Sequence, residues 1–228
     1  MVVAMPIDFR PMDSGSRDDQ AVIFLSASIP DADRWAGDFD ALEITDAVVS
    51  LARACLTHGY RLVTAAHPTI APLLLYVAAE FPPDVATRIL IYQSLLFDDV
   101  LPTATRRFEA EGVGSVIWTE ATTGDLPEPG HWDSSLETMR TRMLEETAPV
   151  AGCFIGGMDG IPTEFAMFKS LFPGRPVYPV GAPGGEARGL VNADLREQLL
   201  LGRKLLSIQI RQSPPHRPRD WAGENCVR

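Results

Sequence analysis

Short apolar runs alternate with longer amphipathic segments through the middle of the chain. Six of these runs have the length of strands and are apolar on both faces: residues 21–28, 60–66, 87–93, 114–120, 150–157 and 175–181. A strand that is apolar on both faces is typical of a parallel sheet that helices cover on each side. The pattern therefore predicts a buried parallel sheet.

The segments between these runs carry apolar residues at helical spacing. Three such stripes are Ile44, Val48, Leu51 and Cys55; Leu73, Val77 and Phe81; and Trp132, Leu136, Met139 and Met143. Strands and helices that alternate in this order predict an α/β fold, a single domain with a Rossmann-like, doubly wound, mostly parallel sheet. We place this domain at residues 20–212, between polar tails at 1–19 and 213–228 that are predicted to be flexible.

Composition and charge exclude several classes of protein. The 228 residues are 46% hydrophobic and 22% charged, as expected for one globular domain. A formal net charge of −10 argues against a nucleic-acid partner, which would need a basic face. Charged residues interrupt any signal-peptide core and no apolar run is long enough to span a bilayer, so we predict a cytoplasmic protein without membrane contact. The cysteines and histidines are scattered, and we predict no metal, disulfide or cofactor.

Polar residues and glycines gather where the predicted strands end. In a doubly wound sheet, ligands bind at these carboxyl ends, near the point where the strand order reverses. The candidate ligand-binding residues there are Ser26, Ser28, Thr64, His67, Tyr92, Gln93, Gly156, Gly157, Gly181, Gly184 and Gly185. The two glycine-rich loops run into helices whose N–H groups could hold a phosphate, although plain chain connections remain the alternative. Neither loop matches a dinucleotide-binding or P-loop motif, which argues against an oxidoreductase or ATPase.

Glu164 stands near the start of a predicted helix. Pro162 suits the first helical position, which would put Glu164 at the third. A carboxylate there caps backbone N–H groups and complements the helix dipole. The local sequence therefore leaves capping and catalysis both open for Glu164.

Arg140 is a second candidate because it lies beside an apolar stripe. It is four residues from both Leu136 and Leu144, so its side chain leans toward the core. A guanidinium in that place could bind a phosphate or carboxylate through two hydrogen bonds. The alternative is an arginine that reaches solvent and pairs with Glu137 or a helix end.

The helix "SLETMRTRMLEE" and the strand end "IGGMDGIPTE" together resemble a known motif. In the phosphoribohydrolases of the SLOG superfamily, an arginine-bearing helix precedes a strand that ends in P-G-G-x-G-T-x-x-E. Arg140 and Glu164 stand at the matching arginine and glutamate. From about residue 21 to 190 the chain resembles this superfamily. The segments "IFLSASIP", "GYRLVTAAHPTI" and "PVGAPGGEA" are most similar to its branch in prokaryotic conflict systems.

The resemblance implies a nucleotide-like ligand and a homodimer or higher homo-oligomer. It adds Gly160 to the site and implies a sensor of a nucleotide or NAD-derived molecule such as ADP-ribose or its cyclic form. The alternative is an N-glycoside hydrolase in which Glu164 and Arg140 are catalytic. Ile155 and Ile161 replace the proline and threonine of the motif, and one residue is inserted before Gly160. These changes remove phosphate contacts and favour binding over hydrolysis.

Overall fold

Six parallel strands form one sheet with β1 in its interior. The computed structural model describes residues 20–128 and 130–191. The strands are β1 (Val22–Ser28), β2 (Arg61–Ala65), β3 (Ile89–Ser94), β4 (Ser115–Thr119), β5 (Ala151–Gly156) and β6 (Val177–Val180). All six predicted strands are confirmed, and the sheet is parallel at every pairing.

The strand order places a switch point beside β1. The order across the sheet is β4-β3-β2-β1-β5-β6, so the chain builds outward from β1 to β4 and then returns to β1 as β5. The last residues of the two central strands, Ser28 and Gly156, are partners in the register. Connections leave these two strands toward opposite layers, which opens a crevice at their carboxyl ends.

Two layers of helices cover the sheet. One layer contains α1 (Ala41–Thr57), α2 (Ala71–Ala78), α3 (Pro83–Ala86) and α4 (Thr103–Ala110). The other contains α5 (Asp133–Thr147), α6 (Gly160–Leu171) and α7 (Glu186–Gly189). A 3₁₀ segment, Leu95–Val100, follows β3. Within the described ranges, no helix has the length and apolar character needed to cross a bilayer.

Side-chain alternation along β1 divides the core into two parts. Leu25 packs with the layer of α1 and α2, whereas Phe24 packs with α5 and α6. Phe24 meets Phe154 edge-to-face and stacks on Phe168, with ring centroids 5.8 and 5.9 Å apart. All four side chains are fully buried, and burial of this kind is the main favourable term in folding. The α/β prediction with a Rossmann-like, doubly wound sheet is confirmed.

Two details differ from the sequence predictions. α2 ends at Ala78, so Phe81 lies beyond the helix, and Leu74 and Leu75 rather than Leu73 are its fully buried leucines. Ile70, which precedes α2, is also fully buried, so this short helix packs on the sheet with a broader face than a single stripe. The predicted tails and the last part of the predicted domain, 192–212, lie outside the described residues.

Candidate functional site

A cavity of about 450 Å³ opens at the carboxyl ends of β1, β2 and β3. Its polar lining consists of Ser26, Ser28, Arg34, Thr64, His67, Gln93, Arg140, Gly160 and Glu164. Its large apolar side chains are Phe97, Val100, Pro102, Trp132, Leu136, Met139, Met158 and Ile161. The structure therefore brings eight sequence-predicted site residues to one cavity: Ser26, Ser28, Thr64, His67, Gln93, Arg140, Gly160 and Glu164.

Ser26 is one of the two most deeply buried hydroxyls of the lining, with Thr64. It follows Val22 and Phe24 on the face of β1 that α5 and α6 cover, and it is 2% exposed. Its Oγ finds no hydrogen-bond partner among the described residues. Buried polar atoms are nearly always paired, because an unmade hydrogen bond costs free energy. Ser26 is therefore suited to meet a polar atom of a ligand or a water molecule.

Arg140 and Glu164 form the charged centre of the cavity. Arg140 Nε donates a hydrogen bond to Glu164 Oε1 over 2.9 Å, and the two side chains are 17% and 10% exposed. The Nη groups of Arg140 and Oε2 of Glu164 make no hydrogen bond within the described chain. The pair therefore offers both donors and an acceptor to a ligand.

The position of Glu164 corrects the sequence-based expectation. α6 begins at Gly160, so Pro162 is the third helical residue and Glu164 the fifth. At the fifth position Glu164 is past the free N–H groups of the first turn, and its bonded oxygen meets Arg140 instead. The alternative pairing of Arg140 with Glu137 is likewise not what the structure contains.

The start of α6 presents free donors next to Arg140. The backbone N–H groups of Met158, Asp159 and Gly160 have no acceptor in the part of the chain that the structure describes, and no side chain caps this helix. A Cβ on Gly160 would lie 3.3 Å from Arg140 Nη2, so the guanidinium reaches the first turn. Unpaired N–H groups at a helix start, together with the helix dipole, favour an anion.

The predicted glycine pairs lie behind the cavity and do not line it. Gly157 N–H donates to Ser28 O over 2.7 Å, and Gly185 N–H donates to Asp38 O over 3.1 Å. A Cβ on Gly185 would lie 2.5 Å from the carbonyl carbon of Gly156, so the two loops are in direct contact. These N–H groups are already used. Gly156, Gly157, Gly181, Gly184 and Gly185 shape the switch point without lining the cavity.

Tyr92 also lies outside the cavity. Its hydroxyl donates a hydrogen bond to Glu146 Oε2 over 2.8 Å, in the last turn of α5. Burial, followed by the Glu146 carboxylate, raises the pKa of Tyr92 above its usual range. The ring therefore fastens α5 to the sheet, and the expectation that Tyr92 contacts a ligand does not fit this position.

His67 presents one fixed hydrogen-bond donor to the cavity. Its Nδ1 accepts from the Thr69 N–H over 3.3 Å and lies 2.8 Å from the Thr69 hydroxyl, which itself accepts from the Ile29 N–H. The ring hydrogen therefore resides on Nε2 when His67 is neutral. Burial, followed by the charge of Arg34, lowers the pKa of His67 to about 4.

The side-chain amide of Gln93 is oriented by a hydrogen bond from the backbone of the next residue. Its Oε1 accepts a hydrogen bond from the Ser94 N–H over 2.9 Å. The amide nitrogen is consequently the group that remains for a ligand. Together with Arg140 and His67, Gln93 makes the polar part of the cavity rich in donors. Such a lining suits a ligand that carries many acceptor oxygens.

Sequence analysis missed Arg34 and the aromatic part of the lining. Arg34 lies in the loop after β1, where neither periodicity nor a motif distinguished it. Trp132 was predicted as part of a core stripe, but the structure places it at the cap position before α5, on the cavity. Phe97 lies in the 3₁₀ segment and contacts Trp132. A large ring directly before a helix start was the signal that could have suggested a ligand contact.

Similarity to one solved structure supports the fold. The solved structure of TM1055, a structural genomics target, has a TM-score of 0.50 and 13% identity over 77% of this chain and 84% of that chain. At this identity, the likeness concerns the fold alone. The structure of the Moco carrier protein from Chlamydomonas reinhardtii has a TM-score of 0.31 and 15% identity over 82% of this chain and 98% of that chain.

The sequence also matches one family directly. A search of curated proteins found no match. The SLOG cluster3 family, in contrast, matches residues 34–203, which include Arg140, Gly160 and Glu164 of the cavity. This match spans about three quarters of the 228 residues. The chain belongs to the SLOG cluster3 family.

Proposed function

We propose that the cavity binds a nucleotide or an NAD-derived molecule, such as ADP-ribose or its cyclic form, and that the protein acts as a ligand sensor. The observation that carries this proposal is the set of N–H groups at the start of α6, beside Arg140, that have no acceptor within residues 20–128 and 130–191. These donors and the helix dipole suit a phosphate. The donor-rich lining around them suits the other oxygens of a nucleotide.

The proposed binding mode follows from where the free groups lie. A phosphate would accept hydrogen bonds from the N–H groups of residues 158–160 and from the Arg140 Nη groups. Ribose hydroxyls would donate to Glu164 Oε2 and meet Ser26 Oγ, which has no partner among the described residues. A ligand in this place would remove the cost of an unsatisfied buried hydroxyl.

An N-glycoside hydrolase is the second candidate function. Glu164 is nearly buried and keeps Oε2 free, so it could stabilise an oxocarbenium-like ribose or activate water. Ile161 argues for binding instead. It is 3% exposed, and a Cβ on Gly157 would lie 2.1 Å from its Cγ1, so an apolar side chain covers this turn. The hydroxyl that the phosphoribohydrolase motif supplies there is missing.

One pair of measurements tests the proposal. The purified protein is denatured and the released small molecules are weighed by mass spectrometry. Ligand-free protein is then incubated with nucleoside monophosphates, NAD and ADP-ribose, and binding and free base are both measured. We expect binding with little or no release of base. No binding of any of these molecules would contradict the proposed function.

Glu164→Gln separates the two candidate functions. If Glu164 is catalytic, this variant keeps ligand binding and loses turnover by about 100-fold or more, the usual scale for acid–base groups. Under the sensor proposal, the wild type has no substantial turnover to lose. Rapid release of base by the wild type, abolished in Glu164→Gln, would establish the hydrolase instead.

A further inference from the structure

The cavity has an aromatic end that the phosphate-binding mode leaves unused. The rings of Phe97 and Trp132 meet there at an interplanar angle of 62°, with centroids 5.5 Å apart. Val100, Pro102 and Leu136 complete this end of the lining. An apolar pocket wall with aromatic rings is a common surface for a flat ligand group.

Local structure holds the segment that carries Phe97 in place. The 3₁₀ segment departs from helical geometry at Phe97, with φ −107° and ψ 19°, and Ser94 caps its start by accepting from the Leu96 N–H. Arg106 pairs with Asp98 over 2.8 Å and so fastens the same segment to α4. The aromatic end is therefore built on anchored chain.

Trp132 at the cap of α5 and Arg140 within α5 lie along the cavity side of this helix. They are eight residues apart with Leu136 between them, so the three lie on one side of the helix. Their Cα atoms are about 12 Å apart along the axis, at the helical rise of about 1.5 Å per residue. This spacing suits a ligand with a flat ring at one end and an anionic group at the other.

Apolar surface at this end of the cavity is exposed to solvent. Val100 lines the cavity although it is 62% exposed. A ring placed against Val100 and Trp132 would cover apolar surface that now faces solvent. Covering such surface is favourable at about 25 cal/mol per Å².

We propose that the aromatic end is a subsite for a planar heteroaromatic ring and that Trp132 is its main contact. This inference rests on the proposed function, because the ring would be the base of the bound nucleotide. The large side chains of this end are apolar or aromatic. The subsite therefore holds the ring by stacking and selects for the presence of a base more than for its identity.

The test compares three probes by titration calorimetry: adenosine 5′-monophosphate, adenosine and ribose 5-phosphate. Trp132→Ala should weaken the binding of the monophosphate and of adenosine about tenfold or more, which is the scale of losing one base–aromatic stack. The same variant should bind ribose 5-phosphate with an affinity within about twofold of the wild type. Trp132→Phe, which keeps a ring, should retain most of the affinity. Leu126→Ala is the control, because Leu126 is 50% exposed and does not line the cavity.

Two results would overturn the subsite. One is unchanged binding of all three probes in folded Trp132→Ala, and the other is an equal loss for all three. If the wild type binds neither these probes nor NAD nor ADP-ribose, the proposed function fails. The subsite is then tested alone with 1-anilinonaphthalene-8-sulfonate, an aromatic anion. Dye fluorescence that falls in Trp132→Ala would support the subsite. Dye fluorescence that is equal in the wild type and Trp132→Ala would contradict it.

Discussion

Arg140 is the residue whose loss should change ligand binding most directly. A charge-assisted hydrogen bond contributes about 1.5–3 kcal/mol, so Arg140→Ala should weaken the binding of adenosine 5′-monophosphate by that amount. Arg142→Ala is the matched control, because Arg142 is exposed on the same helix and pairs with Glu146. We expect the control to keep wild-type affinity. Calorimetry on folded variants is the measurement, and unchanged affinity in Arg140→Ala would remove Arg140 from the site.

His67 should make the stability of the fold depend on pH. Its pKa is lowered from 6.5 to about 4, so between these values the unfolded chain binds more protons than the folded protein. The contribution of His67 to the free energy of unfolding is complete above pH 6.5 and is lost as the pH falls toward 4. From pH 7.5 to 5.0 the free energy of unfolding should fall by about 1–2 kcal/mol more than in His67→Asn. Urea titrations of both proteins at the two pH values measure this, and equal losses would contradict it.

Among single residues, the sequence predicted the site best where a local pattern carried the information. Ser26 and Ser28 continue the alternation of Val22 and Phe24, so a polar end on a buried strand indicated the cavity. Tyr92, a candidate from its place near a strand end, lies outside the cavity and bonds Glu146, which is 54 residues away in the chain. A contact between residues so far apart in the chain depends on how the helices pack on the sheet. The sequence of a single strand does not indicate that packing.

At the scale of elements, strand positions were predictable and the start of α6 was not. Each strand is a run of apolar residues with clear polar boundaries, whereas the helix begins two residues before Pro162. Proline lacks an N–H, and the first turn of a helix does not need that donor, so several positions there accept proline. The sequence therefore could not tell which of these positions Pro162 occupies, and for that reason it placed Glu164 at the third helical position and left capping open as its role.

The contact between the two glycine loops should be essential to the switch point. Gly185 has φ 66°, and a Cβ there would lie 2.5 Å from the Gly156 carbonyl carbon. Gly112 is the matched control, with φ 73° and nothing within 4 Å of its Cβ position. Both changes to alanine carry the strain of a positive φ. Gly185→Ala adds a clash with backbone and, at ψ −171°, a conformation that is essentially restricted to glycine. We expect Gly185→Ala to lower the free energy of unfolding by at least about 1–3 kcal/mol more than Gly112→Ala. Equal urea midpoints would contradict the contact.

At the scale of the whole molecule, the order of the strands determines which site residues lie close together in space. The sequence indicated six strands and a doubly wound sheet, but no local pattern stated that β5 returns beside β1. That return brings the end of β1 next to the turn before α6, and it places α5 over β2 and β3. Residues from five separate segments therefore share one cavity.

The oligomeric state is a property of the whole chain, and we predict a homodimer. Several large apolar side chains are exposed, among them Tyr178 on β6 and Leu171 at the end of α6, and burying such surface favours association. Each chain carries a formal charge of −10, so two chains repel each other. Added salt screens that repulsion, and the dimer should therefore tighten as ionic strength rises from about 0.01 to 0.15 M. Light scattering at micromolar concentrations should give about twice the 24.9 kDa of one chain. A monomer at every salt concentration would refute the prediction.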